Sequence, residues 1–466
     1  MVLKLSDGSG LQAARQIAAT LRAAGHQAYF AGGCVRDLLL GAAAKDFDVA
    51  TSATPDEIVG LFPGSLPVGA HFGVILVLGS EGRETATEVA TFRHDGVYLD
   101  GRRPDAVRFT ADPREDVLRR DFTINGMLLD PAQIRTGPDG PEVDDGAVLD
   151  FAGGRWDLEA GLVRTIGAPE QRFTEDKLRL LRAVRFAARL GFSIEAETLA
   201  AMRRHAAEIA LVSAERVRDE LTRMLTEGRA RRAFELLDES GLLAVVLPEI
   251  AKMHGVEQPP EYHPEGDVWV HTMLMLEQLP AGASATLGWG LLLHDVGKPA
   301  TFQPPNPARP GDRIRFNGHV EVGVRIAEEI LGRLRFSGDD EAQIVALLKH
   351  HMQFGDVRSM KQSTLKRFLR LEKFEEHLAL HRADCLSSHR DLGLYQFARA
   401  AYESTAPEEV RPVLLVTGRE LIEAGYRPGP RFKAMLEAAE DAQLEGRIAS
   451  TAEGMGLVER EFGPPA

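Results

Sequence analysis

The chain has 466 residues, of which 44% are hydrophobic and 27% charged, and its formal net charge is −14. This length predicts roughly three domains of ~150 residues, and the acidic balance excludes a generally basic protein that coats nucleic acid. Two cysteines exclude a disulfide framework, no apolar run approaches the ~20 residues of a membrane span, and no secretory signal is apparent, so we expect a cytoplasmic protein.

The predicted elements change character along the chain. Residues 1–150 alternate short apolar runs with amphipathic stretches, as in a mixed α/β domain. The elements predicted there are helices at Leu11–Ala24 and Val35–Leu40 and strands at Ala28–Ala31, Phe47–Ala50, Val74–Leu78, Thr87–Phe92 and Thr123–Leu129. Helices are then predicted at Phe173–Leu190, Glu195–Ile209 and Ala214–Glu227. The fold class is therefore α+β, with a head at 1–150, a helical neck and body at 151–248, a histidine-rich helical domain at 249–400 and a helical tail at 401–466.

The first candidate site lies where the first predicted strand ends. Gly32 and Gly33 let the backbone approach a phosphate closely, and Arg36 could bind that phosphate in a bidentate manner. A Gly-Gly turn alone is more often structural. Asp46 and Asp48 sharpen the prediction, because carboxylates at i and i+2 of a strand share one face and suit Mg²⁺.

A third carboxylate could complete this metal site. Glu88 and Asp121 are both candidates, and the sequence does not choose between them. Arg119 and Arg120 could hold phosphates, or could equally pair with the acidic residues Glu115 and Asp116.

A basic stripe marks the first long predicted helix of the neck. Its members recur at spacings of three or four residues and are Arg179, Arg182, Arg185 and Arg189. An isolated helix of this kind would favour a solvated basic face. The alternative is a row of donors facing a nucleotide, with Asp176 and Arg179 presenting an acceptor and a donor to the edge of a base.

These motifs resemble the class II tRNA nucleotidyltransferase and bacterial poly(A) polymerase family. They occur in the family's order: Gly32-Gly33-Cys34-Val35-Arg36-Asp37, Asp46-Phe47-Asp48, Arg119-Arg120-Asp121 and Glu175-Asp176-Lys177-Leu178-Arg179. The resemblance implies a polymerase-β-like head in which Asp46 and Asp48 bind catalytic Mg²⁺. It implies a nucleotide-binding set of Gly32, Gly33, Arg36, Arg120, Asp121, Asp176, Arg179, Arg182 and Arg185.

The same resemblance implies a reaction and its partners: CTP and ATP would supply a CCA sequence to the 3′ end of a tRNA. The segment Arg93–Pro104 is similar to the flexible loop of enzymes that complete CCA. Poly(A) polymerase and partial CC- or A-adding activity remain alternatives. A metal-dependent phosphohydrolase with an inactive transferase head is the alternative from another class. The oligomeric state is left open.

Histidines and aspartates recur through the third predicted domain in an order that resembles the HD phosphohydrolase superfamily. The resemblance implies that His271, His294, Asp295 and Asp384 hold one divalent metal of unspecified identity. His319 and either His350 or His351 could add a second. The alternative is a vestigial domain that is retained for packing.

Overall fold

The computed structural model describes residues 2–6, 8–44, 46–69, 73–79, 82–96, 107–309 and 311–465. The chain splits into two compact units, Met1–Pro248 and Glu249–Ala466. None of the helices in these ranges is long and apolar enough to cross a bilayer.

The first unit contains all the named strands of the described ranges. The strands are β1 (Val2–Lys4), β2 (Ala28–Ala31), β3 (Asp48–Thr51), β4 (Leu66–Gly69), β5 (Val74–Gly79), β6 (Gly82–Thr91), β7 (Arg93–Asp95), β8 (Val107–Phe109), β9 (Met127–Leu129), β10 (Arg135–Gly137), β11 (Gly140–Asp144), β12 (Val148–Asp150), β13 (Leu162–Val163) and β14 (Ser193–Ile194). The helices are α1 (Ser9–Ala23), α2 (Gly33–Leu39), α3 (Pro55–Leu61), α4 (Pro113–Leu118), α5 (Gly154–Ala160), α6 (Pro169–Glu175), α7 (Arg179–Leu190), α8 (Ala196–His205), α9 (Ala214–Thr226), α10 (Ala230–Glu239), α11 (Leu243–Val246) and the short α12 (Pro248–Ala251), which begins at the unit boundary.

A mixed seven-stranded sheet organises the head, with strand order β12-β9-β2-β3-β6-β5-β4. The β3–β6 pair is parallel, whereas β2 pairs with β3, and β5 with β6, in antiparallel fashion. Helix α1 packs on β2, β3 and β6 through apolar residues that recur at helical spacing and are buried: Leu11, Ala14, Ile17, Ala18 and Leu21. The sheet therefore presents the start of β3 next to the C-terminal part of β6.

The predicted elements that differ most from the structure are those at Phe173–Leu190 and Thr123–Leu129. The single helix expected at Phe173–Leu190 is wrong, since α6 and α7 are separated by an extended Asp176 with φ −140° and ψ 107°. The Asp176 carboxylate accepts a hydrogen bond from the Leu178 backbone N–H at 3.1 Å, a local bond that competes with helix continuation. The strand expected at Thr123–Leu129 begins as a 3₁₀ turn at Thr123–Asn125, where the Thr123 hydroxyl donates to Asp157 at 2.6 Å.

The second unit is helical. Its helices are α13 (Val268–Glu277), α14 (Ala285–Leu293), α15 (Lys298–Thr301), α16 (His319–Arg333), α17 (Gly338–His350), α18 (Gln362–Leu369), α19 (Phe374–Ser387), α20 (Gly393–Ser404), α21 (Pro407–Val410), α22 (Gly418–Glu423), α23 (Pro430–Leu444) and α24 (Thr451–Phe462). Every residue from Thr286 to Leu293 of α14 is buried, and α14 packs against α13, α17 and α19. This central helix ends at His294, which places the His-Asp pair inside the unit.

Candidate functional sites

Asp46 and Asp48 project from the same side of the chain at the entrance to β3. Both are exposed, whereas Phe47 between them is buried and packs on Phe30 with ring centroids 5.2 Å apart. Alternation along an extended chain places the two carboxylates on the face opposite the Phe47 ring.

Glu88 lies next to Asp48 because β3 and β6 run in parallel and pair Val49 with Val89. Asp48 and Glu88 line one cleft of about 200 Å³. Loss of surrounding water and the charge of Glu88 raise the pKa of Asp48 to about 6; Arg120 opposes the shift, and Asp46 adds to it. Carboxylates that repel each other in this way create a place where a cation is stabilised.

Asp121, the other candidate for a third carboxylate, is occupied elsewhere. Its Oδ2 accepts two hydrogen bonds from Arg182, at 2.6 and 2.9 Å, and its Oδ1 accepts from the Phe122 backbone N–H at 2.8 Å. Burial would raise the pKa of Asp121, but the charge and hydrogen bonds of Arg182 lower it below its ordinary value. Asp121 thus ties α7 to the head, and the geometry favours Glu88 beside the aspartate pair.

Arg119 and Arg120 pair with an acidic residue and also line the cleft. Both pair with Asp116, at 2.5 and 2.9 Å, whereas Glu115 pairs with Arg108. Both also line the cleft that contains Asp48. The buried Asp116 therefore holds two guanidinium groups in the lining of the cleft that contains the carboxylates.

The turn at Gly32 lies close to Arg120, one of the two arginines that line the cleft. Gly32 has φ 75°, a conformation that favours glycine, and a Cβ there would lie 3.3 Å from Arg120 Nη1. Arg36, in contrast, is buried: Nη1 donates to Asn125 at 2.7 Å and Nε donates to Asp37 at 2.8 Å. In this structure Arg36 supports the turn through these hydrogen bonds, and a Cβ at Gly33 would lie 3.6 Å from Arg36 Nη2.

Asp176 and Arg179 lie at the junction between α6 and α7. Asp176 pairs with Arg216 at 3.1 Å. Arg179 pairs with Glu175 at 2.7 Å and also donates to the Arg119 carbonyl at 3.2 Å. The helix that carries Arg179 is therefore bonded to the segment that carries the cleft arginines.

The rest of the basic stripe on α7 is paired rather than solvated. Arg185 is buried and pairs with Glu220 at 2.7 Å and Glu227 at 3.2 Å, both from the α9 region. Arg189 lies 3.6 Å from Asp37. A solvated basic face, the expectation for such a helix in isolation, therefore does not describe Arg185. Arg185 contacts α9, so the structure places it in the packing between helices and not in the cleft.

The second site is built from residues at the ends of α14 and within α13 and α19. His271 Nε2 lies 3.3 Å from His294 Nε2 and 3.3 Å from Asp384 Oδ1. These three residues form one group whose ligand atoms lie within 4.8 Å of one another. Three donors converging on one point in a buried setting can hold a divalent cation.

Asp295 joins this group to a second one. Its Oδ2 lies 3.0 Å from His294 Nε2, and its Oδ1 lies 3.9 Å from His319 Nε2. Asp295, His319 and His351 form another potential metal-binding group. Within the described ranges His350 belongs to neither group, so the structure selects His351 from the two adjacent histidines.

The tautomers of these histidines favour metal binding. A carbonyl oxygen can only accept, so each Nδ1 that faces one must carry the proton. This applies to His294, His319 and His351, whose Nδ1 atoms face the carbonyls of Leu291, Phe316 and Leu348 at 2.7–3.0 Å. Their Nε2 lone pairs are left for the site, and among the described atoms His319 Nε2 is buried with no hydrogen-bond partner.

The electrostatics of the cluster are dominated by its carboxylates. Burial disfavours a charged His271, but hydrogen bonds to Asp384 and Glu265 raise its pKa to about 9. Burial would raise the pKa of Asp295, yet His294 and Lys298 lower it well below the ordinary range. The same negative field that retains a proton on His271 would attract a divalent cation in its place.

The cluster opens into a cavity of about 510 Å³. Cations and aromatic rings line it together: Lys298 lies over the Phe316 ring and Arg313 over the Tyr262 ring, at 5.4 and 5.3 Å. Fixed cations beside a metal cluster suit a phosphorylated substrate.

Two residues of this region, Glu265 and His263, were missed from the sequence. Glu265 Oε1 lies 2.7 Å from His271 Nδ1 and 2.9 Å from His263 Nδ1. The only signal was their position in a short irregular segment just before α13, which carries His271. No periodicity marks such a segment.

Comparison with known proteins gives three matching family models. These are the Poly A polymerase head domain over residues 28–164, the "Probable RNA and SrmB-binding site of polymerase A" over 191–253, and the HD domain over 267–388. The CCA-adding enzyme of Levilactobacillus brevis is 31% identical over 437 residues, which cover 93% of this chain and 94% of that protein. The CCA-adding enzyme of Geobacillus thermodenitrificans is 43% identical over 228 residues, covering 49% of this chain and 52% of that protein.

Solved structures give the same picture. The crystal structure of the Bacillus stearothermophilus CCA-adding enzyme in complex with CTP superposes with a TM-score of 0.71 at 27% identity and covers 97% of this chain and 98% of that one. The Thermotoga maritima CCA-adding enzyme complexed with tRNA shares the fold, with a TM-score of 0.56 at 18% identity over 98% of this chain and 97% of that one.

Proposed function

We propose that this chain, which belongs to the CCA-adding enzyme family, is a nucleotidyltransferase that adds CCA to the 3′ ends of tRNA from CTP and ATP and releases pyrophosphate. The observation that carries the proposal is the cleft that Asp48 and Glu88 line together with Arg119 and Arg120. Carboxylates and guanidinium groups in one cleft match a metal-bound triphosphate. Because the substrate is tRNA and both cysteines are buried free thiols, we place the reaction in the cytoplasm.

The residues divide the chemistry between them. Asp46 and Asp48, with Glu88, would hold Mg²⁺, which supplies a lowered pKa for the attacking 3′ hydroxyl and charge stabilisation at the phosphate. Arg120, set against Gly32, would bind the triphosphate. The α-phosphate then exchanges its bond to pyrophosphate for a bond to the 3′ oxygen, and the hydroxyl proton leaves to solvent.

Selection of the base is assigned to the start of α7. Asp176 offers acceptors and Arg179 offers donors, and Glu175 and Arg216 fix their orientations. Arg179 also donates a hydrogen bond to the Arg119 carbonyl. A base bound here would therefore be held at a fixed position relative to Arg119 and Arg120, which would contact the phosphates. Arg182 would support this edge through Asp121.

Relatives named CCA-adding enzymes favour this reaction over poly(A) polymerase, partial addition or a phosphohydrolase with an inactive head. The segment Arg93–Pro104 is similar to the flexible loop of enzymes that complete CCA, and its residues 97–104 lie outside the described residues. The cleft retains the carboxylates of Asp48 and Glu88, which an inactive transferase head would not need.

The proposal is tested by removing the charge at the cleft. Asp46→Ala is expected to abolish nucleotide incorporation by the purified chain while leaving the circular dichroism spectrum unchanged. Asp139→Ala is the matched control, since Asp139 is an exposed carboxylate of the same unit that pairs only with Lys4 among the contacts described here. Retained incorporation in Asp46→Ala would refute the assigned metal site.

A second activity is proposed for the second unit: hydrolysis of a phosphate ester at a divalent-metal site. His271, His294, Asp295 and Asp384 would hold one metal, and His319 with His351 would complete a second through Asp295. The unpartnered Nε2 of His319 fits this role. Bound metal would supply an activated water, while Lys298 and Arg313 would bind the phosphate.

Asp295→Ala is the test of this activity. We expect loss of phosphate release from nucleotide monophosphates in the presence of Mn²⁺ or Ni²⁺, with CCA incorporation preserved. Asp339→Ala, at an exposed position of α17, serves as the control. Phosphate release that persists in Asp295→Ala would refute the site.

A further inference from the structure

Glu265 contacts two histidines with a single oxygen. Its Oε1 lies 2.7 Å from His271 Nδ1 and 2.9 Å from His263 Nδ1, and its side chain is only 7% exposed. The rings of His263 and His271 stand edge to face with centroids 4.9 Å apart. One imidazole belongs to the metal-binding cluster and the other lines the 510 Å³ cavity.

These three residues could themselves be considered a metal-binding group, but the geometry of His271 argues against that. Its Nε2 already faces His294 and Asp384, so its Nδ1 would have to bind a second cation. An imidazole that binds cations through both nitrogens must lose both ring protons, whereas the Glu265 oxygen 2.7 Å from Nδ1 is an acceptor that requires an N–H donor. A carboxylate opposite Nδ1 instead keeps Nδ1 protonated and turns the Nε2 lone pair toward the cluster.

Glu265 is also a costly residue to bury. Its second oxygen, Oε2, is buried without a hydrogen-bond partner among the described residues, and an unsatisfied buried acceptor costs stability. Its Oε1 lies within hydrogen-bond distance of both His263 and His271. A carboxylate with one unsatisfied oxygen is therefore buried directly behind a histidine of the proposed metal cluster.

We propose that Glu265 is a positioning residue of the second unit: it fixes the tautomer and orientation of His271 for a divalent cation, and through the same oxygen it aims His263 into the cavity. This inference rests on the metal site proposed above. It assigns a role to a residue outside the His-Asp motifs, and it predicts that metal affinity depends on a side chain that touches no metal.

The test is Zn²⁺ binding by isothermal titration calorimetry. The full chain carries Asp48→Ala in every sample, so that the head carboxylates do not contribute. Glu265→Gln preserves volume and an acceptor oxygen but removes the charge, and we expect ~10–100-fold weaker Zn²⁺ binding, the range found for partners of metal-bound histidines. Glu265→Asp keeps the charge and should recover part of the affinity. Glu261→Gln, an exposed residue four positions away, should bind as the parent does.

His263→Ala tests whether His263 is itself a metal ligand or only a second hydrogen-bond partner of Glu265. If Glu265 positions His271, the His263 variant keeps the parent's stoichiometry and binds Zn²⁺ within a few-fold of it; a lost binding event would instead make His263 a ligand and overturn the inference. Unchanged affinity in Glu265→Gln would overturn the inference alone. No binding by the parent chain would overturn the proposed metal site and the inference together. Thermal unfolding of each metal-free variant verifies that it is folded.

Discussion

Asp48→Asn is expected to stabilise the metal-free protein at neutral pH although it removes a residue of the reaction. The pKa of Asp48 is about 6 in the folded chain against 3.8 for an ordinary aspartate. The folded state therefore binds the proton more tightly than the unfolded state, and stability falls as pH rises from about 4 through 6. Without solvent screening, this difference in the pKa of Asp48 corresponds to about 3 kcal/mol in the free energy of unfolding. Asp48 is exposed, so solvent screening reduces the expected gain to about 1 kcal/mol.

Thermal unfolding in EDTA measures this gain. About 1 kcal/mol corresponds to a rise of roughly 2–4 °C for a unit of this size. The rise should appear at pH 7.5 and shrink at pH 4.5, where wild-type Asp48 is protonated. Asp46→Asn is the comparator and should gain less, because Asp46 contributes least to the shift at Asp48. An equal or lower melting temperature of Asp48→Asn at pH 7.5, or an increase in melting temperature that does not depend on pH, would show that the pKa of Asp48 is not raised in the folded chain.

Three other predictions follow from buried or strained groups. Arg185→Ala leaves Glu220 buried without its partner at 2.7 Å and should cost about 3–5 kcal/mol in urea unfolding, whereas replacing both residues with Met should recover most of the loss. Because the pKa of His271 is raised to about 9, the contribution of His271 to the stability of the metal-free protein should be fully present below pH 6.5 and lost as pH rises through 9; a melting temperature in EDTA that does not fall between pH 6.5 and pH 9 would contradict this. Gly32→Ala should lower incorporation more than Gly41→Ala, since both glycines have positive φ but only Gly32 has a guanidinium within 4 Å of the added Cβ.

Much of the transferase site could be predicted because its signals are local. Asp46 and Asp48 share a face through the two-residue period of an extended chain, and that needs no knowledge of the fold. The choice between Glu88 and Asp121 was different. It depends on the parallel register of β3 with β6 and on the pairing of Asp121 with Arg182, and both join residues far apart in sequence.

The predictions that were wrong or missing concern side-chain contacts that hydrophobic periodicity does not show. The arginine stripe on α7 was correctly placed on one helix, but the acids that pair with it come from other elements, as Glu220 does for Arg185. The break at Asp176 depends on a side-chain hydrogen bond that periodicity does not register. Glu265 lies in an irregular segment whose meaning appears only when His271 and His263 come together around it.

Incorporation by the purified chain on a tRNA that lacks its 3′ CCA separates the proposed reaction from its alternatives. CTP and ATP are supplied singly and together, with Mg²⁺. We predict addition of two C and then one A, followed by a stop. Addition of C alone, or long A tails on any RNA, would contradict the proposed CCA reaction, and no incorporation at all would contradict the assigned carboxylate cleft.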